Sequence, residues 1–430
     1  MISRLERWPY LPRALLIALI AVVLALAFSV SDVFRRVDFT LSDTHSRLFA
    51  RKVNFDDVAV IDVDEESVSQ LQSKLGPWPY DREVYALVVR WLKSAGVRSI
   101  GFDILFSEAR KGDAILAEAL DESVVLPAAA LPFSFERDSA YRLQLMQKSW
   151  GVTPPSGTYP LTDLTLPRAQ LTARAGIGVV SALVDSDGIL RRVPLAFSVY
   201  GRVVPGMALA LSQSAPAQIA VSDGRLAAGG KSWPVSPLAE VVLHYPANLE
   251  SLRTVPFYQV VLAASGAPGL EPLADTLRAA LQGKHVLIGS SSAALGDYLQ
   301  TPLGRQPGVK VQAMIAQLLM GGHVLKPRSL LWEMTLVVCT LLLVTAMGRR
   351  RWQTNTALQW SVFPLVFVFI GFFAAFALER GQAVGLLFAM TAGVLMHLIS
   401  LLVQQVQLFR RNQRLEMEKR AALQADALKS

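Results

Sequence analysis

Cysteine is almost absent from the sequence. The single residue, Cys339, lies within an apolar stretch, so the polar part of the chain has no thiol with which to form an internal disulfide. Extracellular domains of eukaryotes commonly carry disulfides, since they fold in an oxidising compartment. The absence favours the bacterial periplasm over a eukaryotic secretory pathway for the polar region.

Charged residues are nearly absent from four stretches of the chain, and 52% of all residues in the chain are hydrophobic. As helices, these stretches are long enough to cross a hydrocarbon layer of about 30 Å, and they predict four transmembrane helices. The first could instead be a cleaved signal peptide, because Ala25-Leu26-Ala27 resembles a cleavage site of small residues. The four stretches are residues 14–30, 330–347, 358–378 and 382–403.

The formal net charge of +8 comes largely from arginines that flank the apolar stretches. The turn between the third and fourth stretches carries only Glu379 and Arg380. By the positive-inside rule both termini are cytoplasmic and the large polar region is periplasmic. The basic residues are not interleaved with aromatic ones, so nucleic acid is not an expected partner. The flanking arginines are Arg4, Arg7, Arg13, Arg349, Arg350, Arg351, Arg410, Arg411 and Arg414.

These patterns divide the chain into four parts. Residues 1–30 form a cytoplasmic N-terminus and first span, residues 31–329 a periplasmic domain, and residues 330–403 three further spans. Residues 404–430 predict a cytoplasmic helix. Leu401, Leu408, Leu415 and Ala422 are spaced seven apart, which is typical of the start of a coiled coil. A solvated single helix is the alternative, since only one seam position is consistently apolar.

The polar region opens with alternating strand and helix patterns. DVAVIDVD (residues 57–64) predicts a buried strand, and the helix after it ends at Gly76. A second helix follows GPWPYDR and stops at Gly96, before the strand VRSIGFDILF. Near-continuous apolar strands joined by helices predict a parallel pair with a crossover.

Five later segments also predict strands. The fold class is therefore an exported α/β domain with a mixed, partly parallel sheet and flanking helices, together with four transmembrane helices. Residues 134–172 predict an irregular insertion, and VVSALVDSDGILRRVPLAF predicts a hairpin that turns at Asp187-Gly188. The five segments are residues 124–133, 176–183, 191–200, 241–246 and 285–292.

Four motifs, in this order, carry a family resemblance: AVIDVDEESVSQL, GPWPYDREVYALVVRWLKSAGVRSIGFDILFSE, DSDGILRRVPL and GKHVLIGSSSAALGDYLQTPLGRQPGVKVQAMIAQLLMGG. Over residues 30–330 the chain resembles the second class of CHASE sensory domains, and the resemblance continues into three following membrane helices. It implies an extracytoplasmic receptor module of the kind associated with cyclases and histidine kinases. It does not identify a ligand.

Candidate ligand-binding residues cluster where strands end. Asp62, Asp64 and Asp103 follow strands of an α/β sheet, the edge at which such sheets commonly bind ligands. The structural alternative is that these acids, with Ser67, cap the next helices. Arg82 could pair with Asp103 or Asp62, or bind an anion. Trp78, Ser290 and Asp297 complete the candidate set; Trp78, between two prolines, either offers an aromatic surface or fills the core.

The sequence contains no catalytic constellation. GSSSA fits neither a phosphate-binding loop nor a nucleophile elbow, and the five histidines show no metal-ligand spacing. The DVDEE segment has Glu66 where a phosphatase motif needs a small residue. We therefore expect no enzyme, no metal and no cofactor within these residues.

The sequence thus predicts a transmembrane sensor whose periplasmic domain passes a signal to a cytoplasmic output, on the same polypeptide or on another protein. The expected partners are the lipid bilayer, an unidentified periplasmic signal, a second copy in a homodimer and a cytoplasmic signalling protein. Two alternatives stay open. One is a membrane-anchored periplasmic scaffold, and the other is a tethered periplasmic hydrolase.

Overall fold

The computed structural model describes residues 10–151, 157–213, 216–293, 297–347 and 361–427. The chain divides into two compact units: residues 1–45 with 328–430, here the helical unit, and residues 46–327, here the α/β unit. The four predicted domains, with boundaries at 30, 329 and 403, stay predictions. Of the flanking arginines, Arg4, Arg7 and Arg349–Arg351 lie outside the described residues.

Helices account for the whole described framework of the helical unit. Its helices are α1 (Tyr10–Ser29), α2 (Asp32–Leu48), α12 (Leu330–Met347), α13 (Val362–Glu379) and α14 (Leu387–Ala427). The α/β unit contains α3 (Glu65–Leu75), α4 (Arg82–Ser94), α5 (Asp113–Ala119), α6 (Ser139–Lys148), α7 (Ala169–Thr172), α8 (Met207–Gln213), α9 (Phe257–Ser265), α10 (Glu271–Leu281) and α11 (Gly308–Gly321), with a 3-10 turn at Leu249–Ser251.

Strands are confined to the α/β unit within the described residues. They are β1 (Val58–Asp62), β2 (Ser99–Phe102), β3 (Val124–Leu131), β4 (Tyr159–Pro160), β5 (Asp163–Thr165), β6 (Gly176–Val179), β7 (Arg192–Pro194), β8 (Ala196–Val199), β9 (Arg202–Pro205), β10 (Ala220–Ser222), β11 (Arg225–Ala228), β12 (Lys231–Pro234), β13 (Glu240–Val242), β14 (Thr254–Pro256), β15 (His285–Gly289), β16 (Tyr298–Thr301) and β17 (Gly304–Pro307).

Among its described residues, the helical unit contains two long apolar helices and two shorter ones. Pro12–Ser29 and Leu387–Ala421 are long and apolar enough to cross a membrane, while Leu330–Ala346 and Phe363–Glu379 are shorter apolar helices. Their buried side chains form one cluster that includes Ile17, Leu336, Ile370 and Met396. Small residues let apolar helices approach closely, and a Cβ at Gly393 would lie only 2.8 Å from Thr340 Cγ2.

A seven-stranded sheet forms the centre of the α/β unit, in the order β14-β1-β15-β2-β3-β5, with β6 also paired to β3. All pairs are parallel except β3 with β5. The predicted mixed, partly parallel sheet is thus confirmed. The strands at 58–62 and 99–102 are parallel, as predicted, but they are not neighbours, because β15 pairs with both of them.

Both faces of the sheet are covered by helices, which explains the continuous apolar runs. Along β1, Val58 and Val60 belong to one buried cluster, together with residues of α8 and α11. Ala59 and Ile61 belong to the cluster on the opposite face, with residues of α3, α4, α9 and α10. Successive side chains of a strand point to opposite faces, so each apolar residue of β1 has a core to enter.

Two predictions for the middle of the α/β unit are wrong. Residues 134–172 are not irregular throughout, because they contain α6, β5 and α7, with Leu145 and Leu164 buried. A turn does form at Asp187-Gly188, with Gly188 at φ 81°. The strands on its two sides do not form a hairpin, since β6 pairs with β3 and β7 pairs with β13.

At Gly178 strand β6 packs closely against the first residue of helix α8. A Cβ at this position would lie 2.7 Å from Met207 Cα and 3.2 Å from Met207 N, and backbone atoms cannot rotate away. Overpacking of this kind costs about 1–3 kcal/mol, so we expect Gly178→Ala to lower the Tm of the chain by several degrees. In the control Gly176→Ala, on the same strand, the new Cβ would be 3.7 Å from its nearest neighbour, Val124 O. Equal Tm values for the two variants would contradict the close packing.

Candidate functional site

Three parallel strands bring the candidate residues to one edge of the central sheet, here called the acidic edge. Asp62 is the last residue of β1, Asp103 follows β2, and Ser290 follows β15. Because β15 pairs with both β1 and β2, its loop lies between the two carboxylates. The register places Asp62 opposite Gly289. The sequence therefore identified residues that the topology does bring to one edge.

Asp62 fixes the loop that follows β15. Its residue is 3% exposed, and its carboxylate accepts hydrogen bonds from Ser291 N at 2.8 Å and Ser291 Oγ at 2.6 Å. Burial raises the pKa of Asp62, while the hydrogen bonds from Ser291 act in the opposite direction. Both carboxylate oxygens thus have a donor already, and in this arrangement the side chain holds the loop in place.

Asp64 and Ser290 have structural partners at the same edge. Asp64 Oδ1 accepts from Ser67 N at 2.7 Å and caps helix α3, the structural alternative considered for this residue. Ser290 Oγ donates to Val63 O at 2.7 Å. A further contact joins Ala293 N to Glu65 Oε1 at 2.7 Å. The hydrogen bonds therefore join the start of α3 to the loop after β15.

Asp103 differs from its neighbours, because no hydrogen-bond donor contacts its carboxylate in the part of the chain that the structure describes. Its backbone N donates to Ile288 O at 2.7 Å. Gly308, the first residue of α11, lies beside the carboxylate: a Cβ there would be 3.7 Å from Asp103 Oδ2. Gly308 N donates to Asp297 O at 2.7 Å, which brings Asp297 to the same place.

Loss of hydration and repulsion from Asp297 raise the pKa of Asp103 to about 7. Part of the residue is still accessible to solvent. Near neutral pH such a carboxyl group can donate a hydrogen bond when it is protonated, and it can only accept hydrogen bonds when it is ionised. Within the described ranges, no three His, Cys, Asp or Glu side chains converge to hold a metal ion. Among the described residues of this edge, Asp103 and Asp297 thus have carboxyl groups that accept no hydrogen bond from the protein.

The predicted pairing of Arg82 with Asp62 or Asp103 is wrong. Arg82 is 2% exposed; its Nε lies 3.4 Å from Asp113 Oδ1 and its guanidinium 4.4 Å from the centre of the Phe106 ring. Arg168 Nε also pairs with Asp113, at 3.2 Å. Arg82 is the first residue of helix α4, and its backbone N donates to Lys111 O. This hydrogen bond brings the segment that contains Asp113 next to Arg82.

Trp78 packs with the aromatic core of the α/β unit. Its ring contacts Tyr80 edge-on, with centroids 5.2 Å apart, and Tyr85 at 6.3 Å. The side chain is half-buried against the cluster that covers one face of the sheet. These contacts favour the core-filling interpretation of Trp78. Ligand binding by Asp62, Asp64, Trp78, Arg82, Asp103, Ser290 and Asp297 stays a prediction.

The sequence interpretation did not assign the charged residues of the DSDGILRR segment, which form an ion-pair network. Arg191 contacts Asp185 at 3.1 Å and Asp187 at 2.7 Å. Arg192 pairs with Asp185 and, at 3.5 Å, with Glu240. The Arg191 guanidinium lowers the pKa of Asp187. The sequence feature that indicates this network is the two acids and two adjacent arginines on either side of Gly188. The ion pairs hold the turn at Gly188 against β13.

The raised pKa of Asp103 makes the folded chain less stable as the pH rises. An unfolded Asp titrates near pH 4, as in model peptides, while folded Asp103 titrates at about 7. The contribution of Asp103 to stability is therefore fully present below about pH 4 and is lost between about pH 4 and 7. We expect Asp103→Asn to exceed the unchanged chain in stability by on the order of 1–4 kcal/mol at pH 8, and by less at pH 5.

Chemical denaturation at the two pH values measures this difference. The control is Glu66→Gln, which removes an exposed carboxylate that contacts no partner among the described residues. A pH-independent difference between Asp103→Asn and the unchanged chain would show that Asp103 is ionised throughout and would contradict the prediction.

The comparisons with known proteins agree with the resemblance carried by the four motifs. The family model of the CHASE2 domain matches residues 17–348. No curated protein matches the chain, and no solved structure does. A CHASE2 domain is an extracellular sensory domain, which implies signal sensing, and the comparison identifies no catalytic domain. The chain therefore belongs to the family of proteins that contain a CHASE2 domain.

Proposed function

We propose that the chain is a sensor of a bacterial inner membrane. In this proposal the α/β unit lies in the periplasm and detects a signal, four helices cross the membrane, and the end of α14 passes the signal to a cytoplasmic output. The observation that carries the proposal is the CHASE2 match over residues 17–348, which includes most of α1, the α/β unit and α12.

The dimensions and surfaces of the four apolar helices support membrane insertion. Helices α12 and α13 have 18 residues each, a length of about 27 Å at the usual rise per residue. This is close to the thickness of about 30 Å of the hydrocarbon layer. Large apolar side chains on all four helices are exposed, as expected for contact with lipid: Leu15, Leu19, Leu331, Leu342, Phe372 and Leu402.

A buried carboxylate provides a route for the signal within the helical unit. Asp38, on helix α2, is 6% exposed, and its Oδ2 accepts from Arg328 Nη1 at 2.6 Å. Its Oδ1 accepts from Leu387 N, the first residue of α14, at 3.2 Å. Carboxylates are favourable at helix N-termini, where backbone N–H groups lack partners. We call these three residues the Asp38 junction.

The Asp38 junction connects the chain segments on either side of the α/β unit to a single long helix. Asp38 lies shortly before residue 46, where the α/β unit begins, and Arg328 directly follows its last residue, Pro327. Helix α14 continues from the junction without interruption to Ala427. A displacement of Asp38 relative to Arg328 would change the contacts at the start of α14, and a continuous helix transmits such a movement along its length.

A periplasmic scaffold is the second candidate, favoured by an apolar surface on the α/β unit. Leu143 and Met146 are exposed and, with Tyr200, line a cavity of about 580 Å³. Phe133 and Phe135 are also exposed, by 68% and 52%. Aromatic residues and Met are enriched in protein interfaces. A scaffold would lose a co-purifying partner in Phe135→Ser while its cytoplasmic helix stayed unchanged.

The proposed topology predicts which cysteines react from the periplasm. In a Cys339→Ala background, Lys74→Cys places a thiol on the exposed surface of α3, and Lys419→Cys places one near the end of α14. We expect a membrane-impermeant maleimide to label position 74 in intact spheroplasts and position 419 only after permeabilisation. Labelling of both positions before permeabilisation, or of neither, would contradict the proposed arrangement.

Disulfide crosslinking of α14 tests transmission of the signal. In the Cys339→Ala background, we expect Leu408→Cys and Leu415→Cys to crosslink two copies more efficiently than Arg410→Cys and Met417→Cys, which lie about 200° around the helix. Asp103→Asn, which keeps this side chain in a neutral form, should change the crosslinked-to-free ratio about fivefold or more, as a coupling free energy of about 1 kcal/mol would.

The control for this experiment breaks the Asp38 junction. Arg328→Gln should remove the effect of Asp103→Asn on crosslinking, because it removes the ion pair with Asp38. Ratios that do not respond to Asp103→Asn at any of the four positions would count against transmission through α14 and would favour the scaffold.

A further inference from the structure

A second cavity lies at the opposite edge of the central sheet, among the amino-terminal ends of its strands. It has a volume of about 360 Å³ and is here called the amino-edge pocket. The strands β1, β2 and β15 contribute residues at or just before their first positions, and α8, α11 and β12 form the remaining wall. The lining residues are Asp57, Arg98, Ser212, Lys231, His285 and Met320.

Two cations of the amino-edge pocket have no ion-pair partner among the described residues. Arg98 and Lys231 are exposed, and neither side chain makes a hydrogen bond or an ion pair within the described ranges. The single carboxylate of the pocket, Asp57, already accepts a hydrogen bond from Gln317 Nε2 at 3.1 Å. By contrast, Arg82, Arg137 and Arg191 of the same unit are paired with carboxylates. The pocket thus has an excess of positive charge.

His285 is held at the wall of the pocket in a fixed orientation. Its residue is 4% exposed, and Nδ1 lies 2.8 Å from Ser99 Oγ. Ser99 Oγ donates its proton to Leu211 O at 3.0 Å, so we assign the ring proton to Nδ1. Nε2 has no hydrogen-bond partner in the described part of the chain and is the ring atom open to a ligand.

The positive charges of the pocket disfavour protonation of the His285 ring. Burial lowers the pKa of His285, and the charges of Arg98 and Lys231 lower it further. The Asp57 carboxylate acts in the opposite direction without cancelling these effects. A bound anion would neutralise the two cations and favour a proton on Nε2, which would then donate to the anion.

We propose that the amino-edge pocket binds a small anion whose phosphate or carboxylate group is held by Arg98, Lys231 and His285. Arginine suits such groups because its fixed fork of donors matches their geometry. Ser212 is already committed, since its hydroxyl donates to Leu209 O at 2.8 Å. Met320 is the apolar part of the wall, and the volume leaves room for an organic portion of the ligand.

The pocket also lies on the segments by which the chain enters and leaves the α/β unit. Asp57 precedes β1, the first strand, and Met320 is in the last turn of α11, the last helix of the unit. An anion held here would therefore lie beside both segments. The role of this anion as a signal rests on the proposed function, whereas the binding of the anion to the pocket does not. One of the two proposals can therefore prove wrong while the other holds.

Isothermal titration of the full chain in neutral detergent with inorganic phosphate tests the proposal, against chloride at equal ionic strength. We expect Arg98→Gln and Lys231→Gln each to weaken phosphate binding at least about tenfold, as loss of a charged hydrogen bond does. Lys74→Gln, an exposed lysine on α3, should bind as the unchanged chain does. Absence of phosphate binding at millimolar concentration, or equal binding by all three variants, would overturn the proposal.

The His285 ring gives a second readout that does not depend on affinity. Phosphate should raise the pKa of His285, followed by NMR of ring-labelled histidine, and Lys231→Gln should remove this rise. The same titration in nanodiscs distinguishes the source of the anion. Phosphatidylglycerol that competes with phosphate in the unchanged chain would identify a lipid headgroup as the occupant, and absence of competition would identify a soluble anion.

Discussion

Burial of the central sheet on both faces is the constraint on which the α/β unit depends. Strand β1 is fully buried, as are β2 and β15, and helices cover both sides. A charged side chain in the middle of such a strand would have to leave water without compensation, at a cost of several kcal/mol. Charged side chains are therefore found at the two ends of these strands, where the acidic edge and the amino-edge pocket lie.

The polar groups at the two edges differ in the partners that the protein gives them. At the acidic edge, hydrogen bonds from Ser291 and Ser67 satisfy Asp62 and Asp64, so these acids stabilise the loop after β15 and the start of α3. Asp103 lacks such donors, and its charged state is disfavoured. At the amino edge the unsatisfied groups are cations, and their repulsion acts on a neutral histidine. In both places a titratable or charged group that has no ion-pair partner among the described residues is the one we propose for ligand binding.

Local sequence patterns predicted the elements well where the apolar runs are continuous. The strand at 57–64, the helix ending at Gly76 and the strand at 285–292 were all recognisable, because burial on both faces imposes apolar residues at every position. The order of the strands in the sheet could not be predicted from these local patterns. Strand β15 inserts between β1 and β2, and nothing in its own residues specifies which earlier strands it pairs with.

The errors have the same physical origin in long-range contacts. The segment 134–172 has a polar composition, yet Asp163, with 0% of its side chain exposed, pairs with Arg137 and accepts from Tyr141 Oη, which orders the segment. The sequence offers Asp62 and Asp103 as possible partners of Arg82, but in the structure Asp113 reaches it through a turn at Gly112, whose φ is 86°. The acidic edge was predictable because parallel strands end together. The amino-edge pocket was not, since its residues come from six separate elements.

In the proposed sensor, coupling through the helical unit would depend on a buried polar contact. Apolar helices in lipid gain little from the hydrophobic effect on packing together, so their relative positions are set by close packing and by polar contacts. The Asp38 junction is such a contact, and it joins the chain on either side of the α/β unit to the N-terminus of α14. Breaking one partner would leave a buried carboxylate unsatisfied, which disfavours intermediate arrangements. A junction of this kind favours discrete states of α14 over gradual movement, and discrete states are what a membrane sensor needs to report.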